Sequence, residues 1–191
     1  MTRWEPNPRE RIERAALELF TERGFAETTV PQITERAGLT TRSFFRHFAD
    51  KREVLFGTEG EIPERIAMLM ANRPPGLNLM ELIVWGVQAM TRQMLSGPPE
   101  DLKVRRAIIQ SDAGLQEREL RKQLDVSIAI TGTLRNQGVD VITATLAGKI
   151  ATMIASTAIE QWIDAPDARS LADCVTEAGS SLGKIIAGYA P

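Results

Sequence analysis

Apolar side chains recur along this chain at helical spacing, separated by residues that cap or stop helices. Ile12, Ala16, Leu19 and Phe20 fall at i, i+4, i+7 and i+8 and mark the buried face of a first helix. Asn7-Pro8-Arg9-Glu10 opens it with a capping side chain, a proline at the first helical position and a glutamate at the third, and Gly24 stops it. Thr29-Val30-Pro31-Gln32 is a second capping box, predicting a short helix that buries Val30, Ile33 and Ala37 and ends at Gly38. Thr40 caps a third short helix with Phe44, Phe45 and Phe48 available for packing, and Asp50-Lys51-Arg52-Glu53 starts a fourth through Val54 and Leu55.

Gly57, Gly60 and Pro63 predict a break or kink in the fourth helix before it resumes through Ile66 and Met70. Arg73-Pro74-Pro75-Gly76 is a loop. Asn78 and Glu81 cap a helix to about Leu95, ended by Gly97-Pro98-Pro99. Helices are expected over 100–110, 113–136, 140–163 and 168–188, with Gly138 and Asp164-Ala165-Pro166-Asp167 as separators. No repeat and no β-alternation interrupts the pattern. The fold class is therefore all-α with about nine helices. The predicted division is residues 1–50 as one domain and 51–191 as another, the fourth helix joining them.

Composition adds bounds. The chain has 191 residues, 43% hydrophobic and 25% charged. It has no uninterrupted apolar run of about 18 residues, so no membrane span is expected. Met1–Pro6 carries charge and proline where a signal peptide needs an apolar stretch. The single cysteine, Cys174, forms no internal disulfide, which fits a cytoplasmic location. Net charge is −2, and residues 1–56 hold ten Lys/Arg against nine Asp/Glu, so bulk charge carries no argument for nucleic acid. Placement of particular charges has to carry it.

Thr29–Ala37 and Thr40–Phe48, around Gly38-Leu39, have the proportions of a helix-turn-helix. The second helix of such a pair enters the major groove with its N-terminal residues at base edges. Thr40 and Thr41 have hydroxyls short enough to reach phosphates, and Arg42 can make a bidentate contact to guanine. Arg46, His47 and Lys51 can meet phosphates.

The order Ala15-Ala16-Leu17-Glu18-Leu19-Phe20, Gly24-Phe25, Thr28-Thr29-Val30, Ile33, Ala37-Gly38-Leu39-Thr40 and Ser43-Phe44-Phe45-Arg46-His47-Phe48-Ala49-Asp50-Lys51 resembles the DNA-binding domain of the tetracycline-repressor (TetR) family. The resemblance covers Arg9 to Phe56, about a quarter of the chain. It implies that Thr41, Arg42 and Phe45 meet bases or the groove, and that Thr29, Thr40, His47 and Lys51 hold phosphates. Phe45 stands where a tyrosine is usual, Thr34 where a small apolar residue is common, and Pro31 at a position from which some members reach DNA.

The resemblance further implies a helical body with a ligand pocket and a dimer interface. The stripe Leu171, Val175, Ala178, Leu182, Ile185 and Tyr189 on the last helix wants a partner helix. With Ile150, Ile154 and Ala158 on the small-residue-rich helix before it, this predicts half of a four-helix homodimer interface. Met68, Met70, Met80, Met90 and Met94 cluster in the fourth and fifth helices, where adaptable thioethers suit an apolar ligand. Met68, Trp85, Gln88, Met90 and Arg92 are the predicted ligand contacts. The expected function is a ligand-responsive regulator, a repressor released from a palindromic double-stranded DNA operator by an unidentified, largely apolar small-molecule effector. The alternative is a helical adaptor without sequence-specific DNA binding. An enzyme is the least favoured class: one histidine and one cysteine far apart give no metal cluster or dyad, and neither a phosphate-cradling loop nor a nucleophile elbow is present. No metal or cofactor is expected.

Overall fold

The computed structural model describes residues 7–56, 62–94, 99–164 and 169–188. Among them are ten helices and no strand: α1 (Pro8–Arg23), α2 (Val30–Arg36), α3 (Thr41–His47), α4 (Glu53–Phe56), α5 (Ile62–Ala71), α6 (Leu79–Met94), α7 (Pro99–Gln110), α8 (Ala113–Asn136), α9 (Val141–Asp164) and α10 (Leu171–Ile186). The predicted fourth helix is two helices, α4 and α5, which accounts for ten where nine were expected. Gly57 and Gly60, on which the break was predicted, lie outside the described residues; Pro63 is the exposed second residue of α5.

The caps form as the sequence requires. Asn7 Oδ1 accepts from the Glu10 N–H at 3.0 Å, Thr29 and Gln32 make a reciprocal box, and Thr40 Oγ1 accepts from the Ser43 N–H at 3.2 Å. Asn78 and Glu81 exchange bonds of 2.9 and 3.0 Å at the start of α6. Each side chain satisfies an orphan donor of a first turn, worth about 1 kcal/mol.

The chain forms two compact units. The first is Met1–Glu59 with Lys103–Leu120; the second is Gly60–Leu102 with Arg121–Pro191. The predicted boundary near residue 50 ran through neither gap: α4 belongs to the first unit, together with a segment some fifty residues further along the chain. Ile108, Ile109 and Leu115 of that segment are buried in one cluster with Ile12, Leu19, Phe20, Phe44 and Phe48. Periodicity cannot report this, because it reads faces and not partners.

The second unit is built on α6, α9 and α10 packed on one another, with α5 against α6. Its core holds Ile66, Ile83, Val87, Ala147, Ile154 and Val175. Helix α9 is long and apolar enough to cross a bilayer by length and composition, with a mean hydropathy of 1.4. Its small face (Ala144, Ala147, Gly148, Ala151 and Ala158) is buried, and 33% of the apolar stretch is buried in all. The backbones of α8 and α9 come close at Gly148, where a Cβ would stand 2.5 Å from the Ser127 carbonyl oxygen and 2.6 Å from Thr131 Oγ1.

Candidate nucleic-acid interface and effector cavity

In the first unit, α1, α2 and α3 pack on one another and present one face of α3 to solvent. Phe44 and Phe48 are fully buried, their rings 5.5 Å apart, and they fix the inner face. Phe45 stands edge-on to Phe44 yet is 56% exposed. Thr40, Thr41, Arg42 and Arg46 are exposed with it. Thr41 and Phe45 share one side of the outer face at i, i+4, and Arg42 and Arg46 another. Two like charges at that spacing weaken a seven-residue helix by a few tenths of a kcal/mol. Helix stability therefore does not explain them, whereas an anionic partner would.

Two cations hold the turn. Arg11 on α1 donates through Nη2 to the carbonyl oxygens of Ala37 (2.6 Å) and Gly38 (3.3 Å), at the C-terminal end of α2. Gly38 there has φ +64°, a conformation a Cβ would strain, and any Cβ would lie 2.9 Å from the Arg11 guanidinium. At the other end of α2, Lys51 Nζ donates to the carbonyl oxygens of Phe25 (2.7 Å), Ala26 (3.2 Å) and Thr28 (2.8 Å). Burial lowers the Lys51 pKa, and the neighbouring Arg52 lowers it further. On the exposed side Arg36 bridges Glu22 and Glu18, with its pKa raised by the hydrogen bond to Glu22 first and Glu18 second.

This geometry changes three expectations. Lys51, expected at a phosphate, directs its ammonium to the three carbonyl oxygens of Phe25, Ala26 and Thr28. The hydroxyl of Thr29 donates to Gln32 Oε1 at 3.0 Å inside the capping box, so a phosphate would have to compete with that oxygen for the proton. His47 is half-buried, and its Nε2 is enclosed with no hydrogen-bond partner among the described residues. Thr40 keeps its role open: its oxygen accepts from Ser43, leaving the hydroxyl proton for an anion. Thr34, standing where a small apolar residue is common, is buried and donates to the Pro31 carbonyl at 3.0 Å.

The first unit also uses residues with no local sequence signal. Arg105 on α7 donates to the carbonyl oxygens of Leu55 (2.8 Å) and Val54 (3.3 Å) on α4. Arg118 on α8 pairs with Asp50 at 3.4 Å, and Asp50 itself accepts from the Arg52 and Glu53 N–H groups opening α4.

The second unit holds a partly open, apolar cavity of about 120 Å³. Trp85 and Met90, two of the residues proposed as ligand contacts, line it with Ile66, Met70, Ile83 and Leu134. Three expected contacts are elsewhere. Met68 is 63% exposed, Arg92 is exposed, and Gln88 donates to the Ala172 carbonyl (3.1 Å) and Thr176 Oγ1 (2.9 Å) on α10. All three share α5 or α6 with lining residues but occupy other faces.

The expected dimer contacts are also redistributed. Ile154, Ala158, Val175 and Ala178 are buried in this chain's own core and have no surface to offer a partner. Ile150, Leu171 and Leu182 are partly buried against the same core. Ile185 is exposed, and exposed apolar residues that periodicity did not single out stand on α9: Ile142, Leu146 and Met153. Tyr189 lies outside the described residues.

Residues 12–57 match the family model described as bacterial regulatory proteins, tetR family. The chain is 36% identical over 92 residues to the HTH-type transcriptional regulator TcmR of Streptomyces glaucescens; the match spans 48% of this chain and 41% of TcmR. Solved tetR-like structures share the fold along nearly the whole chain. A transcriptional regulator FadR from Bacillus subtilis, in complex with stearoyl-CoA, superposes with a TM-score of 0.60 at 16% identity, covering 95% of this chain and 99% of FadR. The SmeT–triclosan complex superposes at 0.57 with 21% identity, covering 92% of this chain and 90% of SmeT. At these identities the likeness speaks for the fold. The ten helices among the described residues thus comprise a tetR-like N-terminal helix-turn-helix and a larger helical body.

Proposed function

We propose that this protein is a ligand-responsive, sequence-specific DNA-binding regulator, a dimeric repressor released from a palindromic operator by a small apolar molecule. The observation that carries the reading is the outer face of α3. Thr41, Arg42, Phe45 and Arg46 are solvent-exposed there, on a helix whose inner face is locked by Phe44 and Phe48. A short, rigidly mounted helix with two arginines is suited to base edges and phosphates. TcmR, matched over 92 residues, is itself named a transcriptional regulator. The relatives in complex with stearoyl-CoA and triclosan support an effector for this fold.

A two-fold dimer would set two α3 helices about 34–36 Å apart for successive major grooves. An effector acts only through its different affinity for DNA-competent and incompetent arrangements. Helix α8 gives Leu115 to the core of the first unit and Val126, Ile130 and Thr133 to the cavity wall, so both functions draw on one helix. The deciding experiment is selection of bound sites from random duplexes by the purified protein. A preferred inverted repeat is expected; retention of no sequence over another would leave a helical adaptor in place of a regulator.

A further inference from the structure

The polar atoms of the cavity specify the chemistry of what fills it. No Asp, Glu, Lys, Arg or His is among the lining residues. The hydroxyls present belong to Thr91, Thr133 and Thr152, and each hydroxyl proton is committed to a helix carbonyl. Thr91 donates to Val87 O at 2.9 Å, Thr133 to Ala129 O at 2.9 Å, and Thr152 to Lys149 O at 3.0 Å. A hydroxyl that has given its proton still has an oxygen lone pair to offer. The threonines therefore act toward an occupant as acceptors. Apart from these threonines the lining residues offer one polar side-chain group, the indole N–H of Trp85. One neutral N–H does not replace the hydration of an anion, and no carboxylate is present to replace that of a cation.

Volume narrows the class further. About 120 Å³ is close to the roughly 150 Å³ of an engineered apolar cavity that stays dry and binds benzene. We infer that this cavity takes an uncharged, single-ring-sized aromatic or hydrocarbon molecule whose polar group, if present, is a hydroxyl donating to a threonine oxygen. Carboxylates and amines are excluded. This rests on the cavity being the effector site of the proposed regulator, and it goes further by naming the ligand's charge and hydrogen-bonding sense.

Calorimetric titration of the full chain with toluene, phenol, benzoate and benzylamine tests it, since the four probes share one ring and differ in charge and donor. Toluene and phenol should bind, and the two ions should bind at least about a hundredfold more weakly. Each threonine is then changed singly to valine. In at least one of T91V, T133V and T152V, phenol should lose about tenfold in affinity while toluene is unchanged, as expected for one lost hydrogen bond. Gly86 lines the cavity and a Cβ there meets nothing within 4 Å, so Gly86→Leu should fill the space, keep the protein folded and abolish toluene binding. Benzoate binding as tightly as toluene, neither neutral probe binding, phenol bound equally by all three valine variants, or toluene binding surviving in G86L would each overturn the inference. Selection on random duplexes keeps the two readings apart. An operator without cavity binding sinks the ligand chemistry alone, and cavity binding without an operator sinks the regulator alone.

Discussion

The ammonium of Lys51 lies 4.3 Å from the ring centre of Phe25 and 2.7 Å from the carbonyl oxygen of the same residue. One side chain thereby closes the end of the loop that leads into α2, through a cation–π contact and charge-assisted hydrogen bonds. Basic residues beside a recognition helix invite assignment to phosphates. Here the geometry assigns the charge to the backbone.

Lys51→Ala is accordingly expected to destabilise the first unit by about 1–3 kcal/mol, the range for losing hydrogen bonds to a charged group. Denaturant unfolding of the full chain measures it. The salt dependence of DNA binding by the folded variant should be unaltered; a flattened slope would return Lys51 to the DNA interface.

Arg42 and Arg46 should separate in a binding assay. Arg42→Ala is expected to cost about 1–3 kcal/mol at the preferred site and to relax preference at one base pair. Arg46→Ala should weaken all duplexes alike and reduce the salt slope by about 1. Competition with single-base variants of the site, repeated at several salt concentrations, distinguishes base reading from phosphate contact.

The redistribution of apolar residues on α9 and α10 makes a contrast that sedimentation can read. Leu146→Glu, on the exposed stripe with Ile142 and Met153, should shift a dimer toward monomer without loss of helix content. Val175→Glu should unfold the second unit, because a fully buried side chain is replaced by a charge without a partner. Equal association by L146E and the parent would remove that stripe from the interface.

Asp173 caps α10 through Ser170, and that hydrogen bond holds its pKa below the ordinary 3.8. A depressed carboxylate contributes stability that is complete above the unfolded-state pKa and is lost as pH falls through the folded value. The melting temperature should therefore fall more steeply below about pH 4 in the parent than in Asp173→Asn, which has no carboxylate at that position to titrate.

Much of this was legible locally. The caps at Asn7, Thr29, Thr40 and Asn78 are interactions over three residues, and the inner faces of α1 and α3 follow from helical period alone. The clamps were not legible. Arg11 reaches Ala37 and Lys51 reaches Phe25 across 26 residues, and no periodicity encodes a side chain's distant carbonyl. The buried stripe of α10 was visible as apolar, but apolarity does not say whether the neighbour is α9 of the same chain or a second copy. Trp85 and Met90 face the cavity from α6, while Met68, Gln88 and Arg92 sit on other faces of α5 and α6, a distinction that composition does not encode.

The arrangement of the first unit bears on how this protein can be cut and recombined. Residues 1–56 look like a transferable reading head, yet Ile108, Ile109 and Leu115 complete its interior and Arg105 and Arg118 fasten α4. A graft of those residues onto a foreign body would carry an open wound of phenylalanine and isoleucine where that wall is missing. A working chimera would have to bring along 103–120 as well, so that specificity for DNA is inherited in two instalments separated along the chain.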